Sequence, residues 1–471
     1  MTSLIHPTAL PARFAQPNRR TLLLGGAAGL LLSACGGSGT DLGSTGATPP
    51  NPTPSSPWTP PLTLTTSASL NATLLNIASN DAGDAVAVWQ EVSTGGVRRL
   101  LGRRYRVDVG WDPVHEIATT DGAYNLVADV AMDAGGQAWV VWTQRQGARF
   151  ETMAMRHLAT AGWQAAVKVN TTDDALLAEH ARVSVDAQGN ALVGWVARRD
   201  AATPQVRVRP WVASVGWGVT AAMNTAVDTE PVELALALGP AGQAVVGWIE
   251  LRGAEPSVWA ARWSLVSGAQ PDAPITSIGR ASELRIACDA DGVALMAWRH
   301  VFTAAERVST VRFPVGASPA AWASRDNPAT GAVGRPGLDA GAAGQFALVW
   351  DEELNARRDA WGTQIGADDR ATPSALLEND GTLDAHHVCV SLDTSNQTQA
   401  VWLRGAATQG EIWSAQRPFN GAWTQAQRIG NDTADANSLH LQGSAGGRAL
   451  VAWLQPEGGA QRVWVQHRQP G

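Results

Sequence analysis

Few side chains in this sequence have the means to do covalent chemistry, and they are scattered. Two tyrosines, nine histidines and three cysteines stand among 34 arginines and a single lysine, Lys168. Tyr124, Arg145, Glu250, Arg252, His300, Glu352 and Arg404 are the best candidates for touching a ligand. Each lies in or beside a polar connection between apolar runs, and loops carried on a rigid scaffold are free to vary. Two clusters have the composition of metal sites. Asp380, Asp384, His386 and His387 form one, but adjacent histidines entering a strand point to opposite faces, so both do not readily reach one ion. Asp432, Asp435 and Asn437 form the other, without the spacing of a calcium loop. No metal and no cofactor is expected, and no catalytic constellation is legible.

The elements that position these residues come from a repeat. Trp89, Trp142, Trp195, Trp248, Trp298, Trp350, Trp402 and Trp453 are separated by 53, 53, 53, 50, 52, 52 and 51 residues. Each closes a ten-residue phrase of the type DAQGNALVGW. Its fourth position is Gly83, Gly136, Gly189, Gly242, Gly292, Gly344, Asn396 or Gly447, as a left-handed turn residue requires. The strand after the turn is apolar on both faces, which predicts a sheet sandwiched between neighbours. Fourteen residues after the Trp comes a series that begins Arg103, Arg156, Arg209, Arg262 and Arg312. This series reads as inter-blade stacking of Arg on Trp rather than an anion-binding ring.

A further strand opens at a second Trp: Trp111, Trp163, Trp217, Trp322 or Trp423. Each unit therefore has strands a, b, c and d, and eight such units make a propeller. The last unit stops after strand c, and Trp58 to Leu64 reads as a d strand with no blade before it. The expected fold is all-β: an eight-bladed β-propeller, residues 58–471, closed by pairing of the N-terminal strand with the last blade. With strand a innermost, the a-side entry loops and the b-to-c loops share one rim, where the seven candidates sit. Most Trp residues belong to the core, with Trp211 and Trp263 the better carbohydrate candidates. Cys288 and Cys389 fall in non-adjacent blades, beyond a disulfide reach of roughly 7 Å, and read as small buried residues.

The segment RVSVDAQGNALVGW, then QVRVRPW, then GWGVTAAM resembles the sialidase-like, Asp-box type of propeller repeat over residues 58–471. The Asp-box turn itself survives only as Gly-x-Trp or Gly-Trp, as at Gly421-Ala422-Trp423. The resemblance implies the fold. Sialidase chemistry would also need an arginine triad, a Tyr nucleophile with a Glu partner and an Asp acid. Tyr124 is the only Tyr on the rim, and no local pattern selects the triad.

Residues 1–34 read as a signal peptide: Arg13, Arg19 and Arg20 precede an apolar run, Leu22 to Ala34, too short to span a bilayer. Leu32-Ser33-Ala34-Cys35-Gly36 resembles the bacterial lipobox, which implies acylation of Cys35, palmitate included, after cleavage at Ala34. Arg19-Arg20 also resembles a twin-arginine signal, and the choice between the two export routes stays open. Residues 35–57 carry the lipidated Cys and a Gly/Ser/Thr/Pro tether that cannot bury a core. Gly36 after the Cys implies the outer membrane rather than the inner, with the propeller facing the periplasm or the cell surface. The net charge of −7 is unclustered and argues against nucleic acid.

The expected partners are the membrane through its lipid and envelope proteins or glycans, and the expected state is a monomer. The leading expectation is a non-enzymatic binding or scaffold lipoprotein. A glycan-binding propeller and a sialidase-like glycoside hydrolase are the alternatives.

Overall fold

A computed structural model describes residues 56–470, apart from 68–69, 121–125, 171–176, 199–203, 226–228, 253–254, 277–278, 303–304, 328, 330, 379–381, 407–408 and 434. The signal peptide, Cys35, most of the tether, Tyr124 and Asp380 lie outside the described residues.

Eight antiparallel sheets follow one another along the chain. Strand a is Asn71–Ser79, Ala128–Met132, Leu177–Val185, Glu230–Leu238, Arg280–Cys288, Gly337–Ala340, Ala385–Leu392 and Asn437–Gly443 in blades 1 to 8. Strand b is Ala85–Val92, Ala138–Gln146, Ala191–Arg198, Gln243–Arg252, Ala294–Val301, Phe346–Leu354, Thr398–Ala406 and Ala449–Glu457. Strand c is Arg98–Arg106, Arg149–Leu158, Gln205–Val212, Glu255–Ser264, Glu306–Phe313, Arg357–Ile365, Gln409–Arg417 and Ala460–Arg468. The a strands contact one another in a closed cycle, blade 8 returning to blade 1.

The turns follow the expected chemistry. All eight fourth-position residues have positive φ, from Asn396 at 59° to Gly83 at 89°. Asp133, Asp186, Asp289 and Asp393 open their turns by accepting the N–H four residues on, at 2.8 to 2.9 Å.

Strand d is less regular than the Trp spacing predicts. In blades 1 to 3 it is broken into a two-residue Gly-Trp piece and a second piece, such as Gly110–Trp111 and His115–Thr120. In blade 5 Trp322 follows a 3-10 turn, Pro319–Ala321, and the strand starts only at Ser324. In blade 8 the d strand is Leu62–Thr63 from the start of the described chain, paired with Val465 and Trp464. Trp58 bridges to Arg468, and Gln469 donates its N–H to Pro57 O at 2.7 Å.

The apolar core is not central. It is divided into eight clusters, one in each gap between neighbouring blades. Alternation along strand b explains this arrangement, because successive side chains enter opposite gaps. Val193 and Trp195 pack toward blade 2, while Leu192 packs toward blade 4. All eight repeat Trp residues are at most 1% exposed. Gly194 allows the close approach of blade 4, since a Cβ there would lie 2.7 Å from Leu236 Cδ2.

Five of these indoles donate to an acceptor two residues on: Glu91, Gln144, Glu250, Glu352 and Gln455. The other three blades have Ala197, His300 and Arg404 at that place, and the indole N–H of Trp195, Trp298 and Trp402 has no acceptor among the described residues. The series fourteen residues after the Trp is a set of inter-blade stitches. Arg156 lies 4.2 Å from the Trp211 ring of the next blade, Arg209 donates to Val169 O of the blade before, and Arg312 lies 5.0 Å from Phe346.

Candidate functional site

Tyr124 lies outside the described residues, and the five rim candidates with described side chains do not converge. Glu250 and Glu352 are not loop residues. Strand b continues past them to Arg252 and Leu354, and both are buried acceptors for their own blade's Trp. His300 is buried, with Nδ1 3.1 Å from Ser309 Oγ, which in turn donates to Asp326 at 2.6 Å. That order places the hydroxyl between imidazole and carboxylate, so the carboxylate does not orient the His as a base would need. Arg404 is buried, donates to Thr382 and lies 4.4 Å from the Trp413 ring. Arg145 is exposed and donates to Gly147 O. Arg252 ends strand b of blade 4, its side chain undescribed. Among the described residues no His, Cys, Asp and Glu side chains gather as a metal site. Cys288 and Cys389 are free, with burial pushing their thiols up to about 12 and about 11, so neither is a ready nucleophile.

The polar chemistry lies at the axis instead. Strand a has one edge with no strand beside it, and its backbone groups there need partners. Side chains of neighbouring blades supply some of them. Asp129 of blade 2 accepts from Asn76 of blade 1 at 3.1 Å and from the Val183 N–H of blade 3 at 2.9 Å. Glu233 accepts from the Leu284 N–H, Ser184 from Leu238 and Asp339 from Leu392, each across one gap. Burial raises the carboxyls of Asp129 and Glu233 and pushes Asp339 up to about 6.

A bulge interrupts strand a in six blades. In five of them a non-Gly residue, fifteen before the Trp, is left-handed: Leu74, His180, Glu283, His387 and Ser438, with φ from 50° to 59°. A left-handed L-residue costs roughly 1–2 kcal/mol, and its effect here is to turn a side chain off the packed face. His180, His387 and Ser438 are exposed although they belong to the innermost strand. The corresponding residues of blades 4 and 6 are Glu233 and Arg335.

On the side of blades 5 to 8, Arg335 and His387 line a cavity of about 210 Å³ with Arg285, Asp339, Cys389 and His440. Arg335 Nε lies 3.6 Å from Glu283, and Arg285 lies 3.3 Å from Glu283 and 3.8 Å from Glu233. Desolvation lowers both imidazoles, His440 to about 4, helped by the charge of Arg335. At neutral pH the cavity therefore offers neutral imidazoles and paired charges. That set can hold a polar ligand through directed hydrogen bonds.

Sequence reasoning missed this ring. The signal was present: stepping back fifteen residues from each Trp gives Leu74, Val127, His180, Glu233, Glu283, Arg335, His387 and Ser438, mostly polar within a buried strand.

No family model matches the chain, and no curated protein matches it. Among solved structures it is similar to the polysaccharide lyase Uly1, with 12% identity and a TM-score of 0.47 over 85% of this chain and 90% of that one. It is also similar to the BP39L lectin from Burkholderia pseudomallei, with 15% identity and a TM-score of 0.48 over 76% and 99%. A leech intramolecular trans-sialidase follows at 8% identity and a TM-score of 0.36, over 68% and 80%. Likeness of this size transfers no residue role to this chain.

Proposed function

We propose that the protein is a monomeric, envelope-tethered binding propeller, lipidated at Cys35 in the outer membrane, that holds a small polar ligand at its axial cavity without turning it over. The observation that supports this is the repeated bulge. Left-handed backbone puts His387 on the wall of the cavity beside Arg335, and the same backbone recurs at Glu283, which pairs with Arg335, and at Ser438 in the next blade. Strain kept at corresponding places in separate blades has a use beyond packing. The envelope side of the reading rests on the Leu32-Ser33-Ala34-Cys35 run and the tether after it.

Native mass spectrometry of the full-length protein released from its own envelope tests both halves. The expected spectrum shows acylated protein with a small-molecule adduct. Cys35→Ser should lose the acyl mass, and Arg335→Ala with His387→Ala should lose the adduct. An unacylated wild type removes the anchor. An adduct that survives the double variant removes the axial site. Turnover of a fluorogenic glycoside panel by the wild type would instead favour the hydrolase.

A further inference from the structure

Blades 5 to 7 depart from blades 1 to 4 in the connection from strand c to the next strand, and blade 5 departs furthest. In blades 1 to 4 three residues join strand c to the next strand, as Leu265 to Ser267 do in blade 4. In blade 5 the connection runs from Pro314 to Ala323 and includes the 3-10 turn Pro319–Ala321. This longer loop stands beside the blade 4 hairpin and walls a groove of about 520 Å³ on the rim of the c-to-d hairpins. Small-molecule sites run from about 300 to 1,000 Å³, and this groove is more than twice the axial cavity of about 210 Å³.

We infer that the groove between blades 4 and 5 is a second binding site, for a neutral saccharide. Its walls are mainly apolar: Trp263, Trp322, Pro271, Pro319 and Val266, the last 96% exposed. Its polar groups are uncharged amides and hydroxyls, led by Gln243 and Gln270. Among the described residues the one ionisable group of the lining is Arg262, and its guanidinium is already engaged. It donates to Ala317 O at 3.3 Å and to Pro314 O, and lies 6.0 Å from the Trp322 ring. Arg262 thus pins the wall in place, with Nε and one Nη already given to backbone carbonyls.

A pyranose has the matching surface: one face of C–H groups for apolar walls, and a rim of hydroxyls for amides. Trp322 adds an independent observation. It is 9% exposed, and its indole N–H has no acceptor among the described residues. A buried donor left unpaired is destabilising, and an acceptor brought in by a ligand relieves it.

Saturation-transfer NMR on the full-length protein in detergent tests the inference. The probes are cellobiose, chitobiose, maltose and lactose, with 3'-sialyllactose and a polyproline decamer as controls. At least one neutral disaccharide should bind. Val266→Asp and Gln270→Ala, both at exposed positions, should weaken it about tenfold or more. Arg335→Ala at the axis should leave it unchanged, which separates this site from the axial one. The site is overturned if no neutral disaccharide binds at about 10 mM, if both groove variants bind as the wild type does, or if sialyllactose or polyproline binds better.

Discussion

The tryptophan layer and the axial ring are built from the same repeat yet treat it in opposite ways. At the end of strand b all eight blades use Trp, and every one is buried. Fifteen residues earlier the same blades use six residue types: Leu, Val, His, Glu, Arg and Ser. Gaps between blades are nearly equal and must be filled to the same depth, so the filler is fixed. At the axis His180, His387 and Ser438 are exposed, so such a side chain fills no gap between blades, and its identity is free to answer to something else. Invariance within a repeat therefore marks load, and variation on a fixed backbone marks a surface available for binding.

That contrast can be broken experimentally. The largest effect is expected for Trp248→Ala, which removes a fully buried indole and the hydrogen bond it gives the buried Glu250 carboxylate. A loss of about 3–5 kcal/mol should appear in chemical denaturation, whereas Arg335→Ala should stay within about 0.5 kcal/mol. Similar losses in both would erase the distinction.

The next effect concerns pH. Asp339 has a folded pKa of about 6, above its ordinary 3.8, so the stability it confers is full below pH 3.8 and is lost as pH rises through 6. His440 has the reverse sign. Its folded value of about 4 lies below 6.5, so its contribution is full above pH 6.5 and is lost as pH falls through 4. His440→Gln should therefore remove part of the acid destabilisation between pH 6.5 and 4, read as Tm against pH. An unchanged slope would mean the imidazole is not buried as described.

The smallest effect is a gain. Ala197→Gln supplies blade 3 with the acceptor that five other blades give their Trp, and should add about 0.5–1.5 kcal/mol. No gain would show that the orphan indole is already satisfied.

The legible parts of this molecule are those with a local chemical signature. Gly or Asn at the turn, Trp at the strand end and a lone d strand near Trp58 each report their own conformation, so blade number and closure follow from them. The axial ring has no such signature. Its left-handed positions are held by Leu74, His180, Glu283, His387 and Ser438, none of which announces positive φ, because the register shift between strands a and b imposes it. Glu250 and Glu352 looked like loop residues because the phrase ends at Trp. In fact the strand runs on, and the carboxylates answer the indole N–H. The blade 5 groove comes from an insertion relative to the repeat, visible as a late Trp322 but not as a cavity.

Blade 8 is the one sheet whose four strands are not continuous in the chain. A pull on the protein from its N-terminal side reaches the Trp58 bridge and the Leu62–Thr63 ladder before any other blade. Mechanical failure would then start as a single seam opening beside Trp464, turning a wheel into an arc while seven blades stay whole.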